Sequence, residues 1–381
     1  MARTLGVGLI GAGRIFQDHV RALECLRDRA TLVAVADAEP SQLRSATDRH
    51  FLPVASRDAR ELLARSDLDV VIVSTPPACH ESIVVAALEA GKRVVCEKPL
   101  AHTLEAADRI LEVADARPGR LSVVYQLRYL PEIQRLLWLR DHDRLGRLLF
   151  GHVHRTERAP GRAGASAWWG RWATAGGGAA MTQFIHQLDL LLFVFGPAQE
   201  VSAAMTTHSE GLESEDTFAA SVRFRSGAIA GCSCCTAARH SEFRFDVVAE
   251  RASVHLPWRL DGADPEAQRD ALAAHPDSER PASRSLPARA LRKSLRVLGL
   301  RDAPGPAPNR HVPYLAEVLD AARRDDPLPV GPHQARASLE LCVALYTSAL
   351  RGEPVSLPLP RSGGFYAGVH PEDYAGLCGA A

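Results

Sequence analysis

The chain has 381 residues, 46% hydrophobic and 24% charged, with 45 basic and 45 acidic side chains that cancel to a formal net charge of zero. Length and composition suit a globular protein of about two domains, and without a cluster of excess Lys and Arg they exclude a nucleic-acid-binding footprint. The N-terminus runs straight into a motif with no room for a signal peptide, and the longest apolar run, "LDLLLFVFG", is too short to span a bilayer.

Eight cysteines match neither a zinc spacing nor a disulfide framework. Cys232, Cys234 and Cys235 lie in the strand-like "AIAGCSCCTAA", where a packing role is favoured over a metal site, and no metal is expected. Free buried thiols fit a reducing cytoplasm. Only three lysines occur, Lys92, Lys98 and Lys293. A retained lysine is informative, because an amine titrates where a guanidinium does not.

Residues 5 to 126 alternate strand and helix patterns. "LGVGLI", "LVAVAD", "DVVIVST", "RVVCE" and "LSVVYQ" read as strands, with helices between them. Gly91 is placed as a C′ residue and Thr103 as an N-cap. Strands apolar throughout and separated by helices predict a parallel, doubly wound sheet covered on both faces. A boundary near residue 128 then separates it from an α+β unit over 129–381. There "LLFGHVHRTER", "EVSAAMTTH", "DTFAASVRF", "GAIAGCSCCTA" and "FRFDVVAE" follow one another without intervening helices, which predicts a large, mostly antiparallel open sheet. Residues 260–309 read as a surface insertion or mobile loop, favoured over a partner-binding arm despite the basic "LPARALRKSLRVLGLR". Two helices, 312–324 and 333–351, close the pattern.

"VGLIGAGRIF" puts Gly8, Gly11 and Gly13 between strand and helix, with Arg14 and Ile15 opening the helix. Backbone can approach a pyrophosphate closely there, and the helix offers free N–H groups and its positive end. Phe16 occupies the usual third glycine position. Asp37 ends the second strand, 24 residues after Gly13. It can accept hydrogen bonds from the adenosine ribose and would repel a 2′-phosphate, so NAD is expected over NADP; the alternative is a plain strand-end turn. Thr75, Pro76 and His80, in "STPPACH", sit at the next strand end as cofactor contacts, where the prolines equally serve a helix start. Glu97, Lys98 and Pro99, in "CEKPL", end a further strand. A lysine there faces the nicotinamide side, where a nearby positive charge would lower its pKa and fit it for proton exchange with an alcohol or carbonyl.

The stretch "GGGAAMTQFIHQLDLLLFVFG", residues 176–196, reads as a core helix from Met181 with Ile185, Leu188 and Leu192 against the sheet. Thr182, His186 and Asp189 fall on its opposite edge, at i, i+4 and i+7. The glycines before it would let the chain pass close to cofactor or substrate.

"GVGLIGAGRI", "VAVAD", "STPP", "AGKRVVCEKPLA" and this helix together resemble the Gfo/Idh/MocA oxidoreductases over nearly the whole chain except 260–309. The resemblance implies a Rossmann domain, then an α/β domain whose open sheet joins subunits into a dimer or tetramer. It implies NAD(P)-linked oxidation or reduction of secondary alcohols in sugars, inositols and related molecules. Lys98 then binds the reacting hydroxyl, His186 is the acid/base, and the bond before Pro99 is cis. Many relatives carry aspartate where Thr182 stands; Asp189 is the candidate to orient the histidine instead. "MTQFIH" is nearer the form in relatives that oxidise C3 of nucleotide-linked sugars. Trp169 and Arg171 correspond loosely to a Trp-Arg pair that contacts cofactor or site in relatives. Gln126, Arg128 and Tyr129, in "YQLRYLP", stand as substrate-side candidates against a linker-packing role. Two other functions stay open: an NAD-dependent glycosidase working by transient oxidation, and a non-catalytic NAD-binding sensor.

Overall fold

The computed structural model describes residues 3–50, 54–158, 168–256, 259–261, 309–363 and 365–378. The first unit is built on β1 (Leu5–Ile10), β2 (Ala30–Ala36), β3 (Val54–Ser56), β4 (Val70–Val73), β5 (Arg93–Cys96) and β6 (Leu121–Val123), parallel in the order β3-β2-β1-β4-β5-β6. β1 and β4 are buried along their whole length, the mark of a sheet covered on both faces. The covering helices are α1 (Phe16–Cys25), α2 (Pro40–Arg49), α3 (Ala59–Leu63), α4 (His80–Glu89) and α5 (Leu104–Asp115). Thr103 caps α5 through Ala106 N, and Gly91, at φ +74°, follows α4 as read from sequence. β3 was not legible: three residues cannot show a period. Strand order reverses between β1 and β4, which opens a crevice at their C-terminal ends.

A 3-10 turn at Gln126–Tyr129 and α6 (Pro131–Asp141) lead to β7 (Leu148–Arg158). Next come α7 (Trp172–Ala175), α8 (Ala179–Thr182), α9 (Ile185–Phe195), β8 (Ala198–Thr206), β9 (Thr217–Phe224), β10 (Ile229–Cys235), β11 (Ala237–Ala249), β12 (Ser253–Leu256) and β13 (Arg259–Asp261). The chain continues through α10 (His311–Arg324), α11 (Pro332–Arg351), β14 (Val355–Ser356) and α12 (Pro371–Cys378). The second sheet runs β13-β12-β11-β7-β10-β9-β8-β14, and among the described residues only β7 and β10 pair in parallel in it. The expected open, mostly antiparallel sheet is what forms. Of residues 260–309, read as an insertion, 262–308 lie outside the described residues.

One sheet face buries Val153, Phe218, Val222, Cys232, Cys234 and Phe245. α9 is mostly apolar and buried except at half-buried Leu192 and Phe193, and each fully buried Leu or Phe stabilises by about 2 kcal/mol. Alternation along β10 turns Cys232 and Cys234 inward, and burial pushes the Cys232 thiol up to about 12. The opposite face leaves Phe150 and its register partner Ile229 exposed, and Leu149 beside them is exposed too. α11 spans both units, packing on α9, β8 and α5, while α10 packs on α1. Among the described residues no single helix is long and apolar enough to cross a membrane.

Candidate active site

The β1–α1 turn is shaped from both sides. Gly11 has φ +102°, and a Cβ there would lie 2.5 Å from Ser74 O, so this residue is pinned against the end of β4. Gly13 differs: a Cβ there would meet nothing within 4 Å. Ile15, at the N-cap of α1, offers no side-chain cap, and Arg14 is exposed. Asp37 is fixed beside the turn, accepting from Ala12 N (2.6 Å) and Glu39 N (2.8 Å). Thr75 Oγ1 is buried with no partner among the described residues. An uncapped helix start, open space over Gly13, a fixed carboxylate and an orphaned hydroxyl fit a dinucleotide.

Two expected cofactor contacts turn elsewhere. His80 is fully buried, with Nδ1 2.9 Å from Pro99 O and Nε2 2.9 Å from Thr75 O. It clamps two strand-end loops together, so it positions Thr75 and Pro76 instead of offering a free ring nitrogen. Glu97 is likewise buried. Its Oε1 is 2.9 Å from His19 Nε2 and 3.6 Å from His311 Nε2, and Oε2 accepts from Lys98 N. Burial pushes this carboxyl up, but the two histidines outweigh that and hold it well below the usual range. The three donor atoms lie within 4.8 Å of one another, close enough to share a proton or a divalent cation.

Lys98 follows, with a cis bond to Pro99 as the resemblance implies. Its Nζ donates to Thr182 O at 2.7 Å. Burial lowers its pKa; Glu97 opposes, while Arg155 and Arg14 lower it further. His186 is 7% exposed, its ring edge-on to Tyr125 with centroids 5.8 Å apart. Burial first, then the Lys98 charge, holds its pKa well below 6.5, and Nδ1 has no partner among the described residues. Lys98 and His186 are therefore brought into one electrostatic field with their proton affinities reduced.

The wall carrying His186 departs from the single helix read in sequence. Gln183 N and Phe184 N both donate to Ala179 O, a widened turn, and the axis bends by 56° between residues 172–182 and α9. The extra residue interrupts the repeat that would stack Thr182 against His186. Thr182 Oγ1 donates to Gly178 O within its own turn (2.7 Å), so Lys98 reads the backbone of Thr182 and not its side chain.

Asp189 does not orient His186. Its oxygens accept from Arg128 Nε and Nη2 (2.7 and 2.6 Å) and from Ser338 Oγ (2.9 Å), with burial raising its pKa against those bonds. Arg128 is thereby a packing residue, its guanidinium over Phe193 and bonded to Gln334. Tyr129 packs edge-on to Tyr314, its pKa raised by burial beside Glu317. Both side chains are engaged with neighbouring protein. Gln126 keeps a buried Oε1 without a partner among the described residues.

Nor do the glycines of 176–178 approach a ligand. A Cβ would lie 2.2 Å from His102 O at Gly176, 2.2 Å from Tyr346 Oη at Gly177 and 1.8 Å from Glu215 O at Gly178. Buried Glu215 accepts from Gly178 N, Ala180 N and Tyr346 Oη, and burial raises its pKa to about 7 despite those donors. Trp169 is half-buried and Arg171 exposed at the start of α7. The tryptophan locked into the core is Trp172, with Nε1 donating to Glu213 O.

Sequence reading missed His19, His311, Arg155, Glu157 and Glu215. The alternation of "HVHRTER" holds the signal for two of them: Arg155 and Glu157 share the face of Val153.

The sequence matches two family profiles: "Oxidoreductase family, NAD-binding Rossmann fold" over residues 5–125 and "GFO/IDH/MocA C-terminal domain" over 133–255. An inositol 2-dehydrogenase of Burkholderia multivorans is 36% identical over 214 residues, 54% of this chain and 60% of that protein. An inositol 2-dehydrogenase/D-chiro-inositol 3-dehydrogenase of Shouchella clausii is 45% identical over 123 residues, 32% of this chain and 35% of that one. These matches span 60% or less of the relatives' own length. The crystal structure of the WlbA dehydrogenase from Bordetella pertussis, in complex with NADH and UDP-GlcNAcA, superposes with a TM-score of 0.79 at 26% identity, covering 94% of this chain and 99% of that one. A levoglucosan dehydrogenase structure, in complex with NADH, reaches 0.77 at 19% identity, covering 94% and 100%, a likeness of fold.

Proposed function

The chain belongs to the Gfo/Idh/MocA family, and from that premise we propose that it is an NAD-dependent dehydrogenase of a secondary hydroxyl in a sugar, nucleotide sugar or cyclitol. The observation that carries the proposal is the meeting of Lys98 and His186, both drawn toward their neutral forms, at the strand end beside an open glycine turn. Gly11, Gly13, Arg14, Ile15, Asp37, Thr75 and Pro76 would hold NAD, and Trp169 and Arg171 stand as further contacts. The fixed Asp37 carboxylate favours a free ribose over a 2′-phosphate. Bound NAD would supply the hydride acceptor.

The proton is the work of this chain's own residues. A neutral imidazole at His186 is a competent base, and its low proton affinity keeps it free at neutral pH. Lys98, anchored through Nζ to Thr182 O, is placed to bond the reacting hydroxyl and share the proton. The two groups influence each other's charge and titrate as a pair. The outer face of the second sheet, with exposed Phe150 and Ile229, is proposed to join subunits.

The test is NADH formation over a panel of inositols, free sugars, nucleotide sugars and aminoglycosides. Wild type should reduce NAD with at least one. Lys98→Met should lower kcat by roughly 10²- to 10⁴-fold, the range for a lost acid–base group, while NADH binding persists. Sugar release without NADH accumulation would instead mark transient oxidation. A physiological function untouched by Lys98→Met would mark a sensor.

A further inference from the structure

We infer that Arg155 and Glu157 form a binding subsite for two neighbouring hydroxyls of the substrate ring, one that disfavours a carboxylate at the same place. The inference rests on the dehydrogenase reading above.

The strand period of β7 puts Gly151, Val153, Arg155 and Glu157 on the inner face. Gly151 lies against Phe195, and Val153 is fully buried. The apolar floor therefore ends where the charged pair begins. That end faces the reacting groups: the Arg155 charge lowers the proton affinity of both Lys98 and His186, and Glu157 acts in the opposite sense on Lys98.

The pair is held in place but not used up. Arg155 Nη2 donates to Glu157 Oε2 at 2.6 Å. Arg155 Nη1 lies 3.2 Å from the Gln187 side-chain oxygen, in the amide orientation whose nitrogen donates to Phe184 O and Gln183 O. Gln187 is the neighbour of His186 on α9, so the guanidinium is tied to the wall that carries the base. Glu157 Oε1, by contrast, is buried and accepts from no group among the described residues. A buried carboxylate oxygen without a donor is costly, and a ligand hydroxyl would relieve that cost. The side chains are 26% and 17% exposed, so a small molecule can reach the pair, and a turn of the Glu157 carboxylate would bring Oε1 to it.

The chemistry of the partner follows. Arg155 keeps N–H donors beyond its two contacts, and Glu157 Oε1 offers an acceptor beside them. A hydroxyl both donates and accepts, so adjacent hydroxyls on one ring match the pair. A ligand carboxylate could bond Arg155, but it would set a second anion against Glu157 Oε1. The subsite thus selects a neutral polyol ring over a uronate at this position.

The experiment is steady-state kinetics with myo-inositol, D-glucose and D-glucuronate. Monodeoxy analogues of the best neutral polyol are then compared in wild type, Glu157→Gln and Glu157→Ala. NADH binding and thermal unfolding are measured alongside. Wild type should favour a neutral polyol over glucuronate. Both variants should raise KM by roughly 10- to 100-fold, the range for a lost hydrogen bond to a charged group, with kcat changed less and NADH binding retained. One monodeoxy analogue should be poor for wild type, and Glu157→Ala should treat it like the parent. If Glu157→Ala fails to fold, the isosteric Glu157→Gln carries the comparison. The inference is overturned if wild type prefers glucuronate, if KM stays within about twofold, or if the loss falls equally on the parent and every analogue. If wild type oxidises none of the panel, the dehydrogenase reading fails and takes this one with it. Turnover with unaltered variants removes the subsite alone.

Discussion

Two glycine stretches of this chain look alike in sequence and differ in what they make room for. At 11–13, Gly11 is pressed against Ser74, but Gly13 faces open space. At 176–178, all three positions are pressed against protein: His102, Tyr346 and Glu215. A missing side chain signals a close approach without naming what approaches. In the first stretch the free neighbour is the crevice, as a cofactor turn requires. In the second it is the core, and the glycines bring α8 and α9 near enough for Lys98 to reach Thr182 O. The second stretch builds the wall that carries His186.

His186→Gln tests that wall most severely. Oxidation should fall by about 10³-fold in kcat/KM, within the range for a general base, with thermal stability and NADH binding unaltered. The pH profile carries a second readout. A depressed pKa means that the free-base form survives to lower pH, so the acid limb assigned to His186 should lie below 6.5 in wild type. Glutamine should erase that limb. A limb unmoved by the substitution would assign the base elsewhere.

The next test sets the two stretches against each other. Gly178→Ala drives a Cβ into the Glu215 backbone, which no rotamer change relieves. It should cost about 3 kcal/mol by chemical denaturation, the upper range for overpacking, and lower activity through misplacement of α8. Gly13→Ala meets no protein atom, so its stability should stay within about 0.5 kcal/mol of wild type. Its effect should appear as a rise of roughly tenfold in the KM for NAD, since a methyl group would occupy the space over the turn. Equal stability losses in the two variants would remove the distinction.

The same contrast explains what could be read in advance. The cofactor turn was legible because strand, glycines, helix and Asp37 lie within 33 residues, and their placement follows from one β–α–β unit. Lys98 was legible from its place at a strand end. The parallel sheet followed from continuous apolar runs, and the second sheet from strands without helices between them. Roles fixed by distant partners were not legible. Asp189 looked like a partner for His186 three residues away, but Arg128, 61 positions earlier, claims both its oxygens. Glu97 looked like a cofactor contact until His311 arrived from the far end of the chain. The widened turn at 183–184 was also hidden, because neither glycine nor proline marks it.

Thr182→Val should have the smallest effect, and it separates sequence from backbone as sources of the site. Where the family resemblance implies an aspartate, a threonine suggests a side chain that replaces part of its role. In the structure the hydroxyl is spent on Gly178 O, and Lys98 is held by the Thr182 carbonyl, which every residue possesses. Valine preserves the β-branched shape and that carbonyl while losing one local hydrogen bond, worth about 1 kcal/mol. The expected change in kcat/KM is therefore under about fivefold, with Lys98-dependent pH behaviour retained. A loss near that of His186→Gln would mean that the hydroxyl leaves Gly178 during turnover and takes part at the reacting centre. Backbone anchoring of Lys98 would then be a feature of the resting enzyme only.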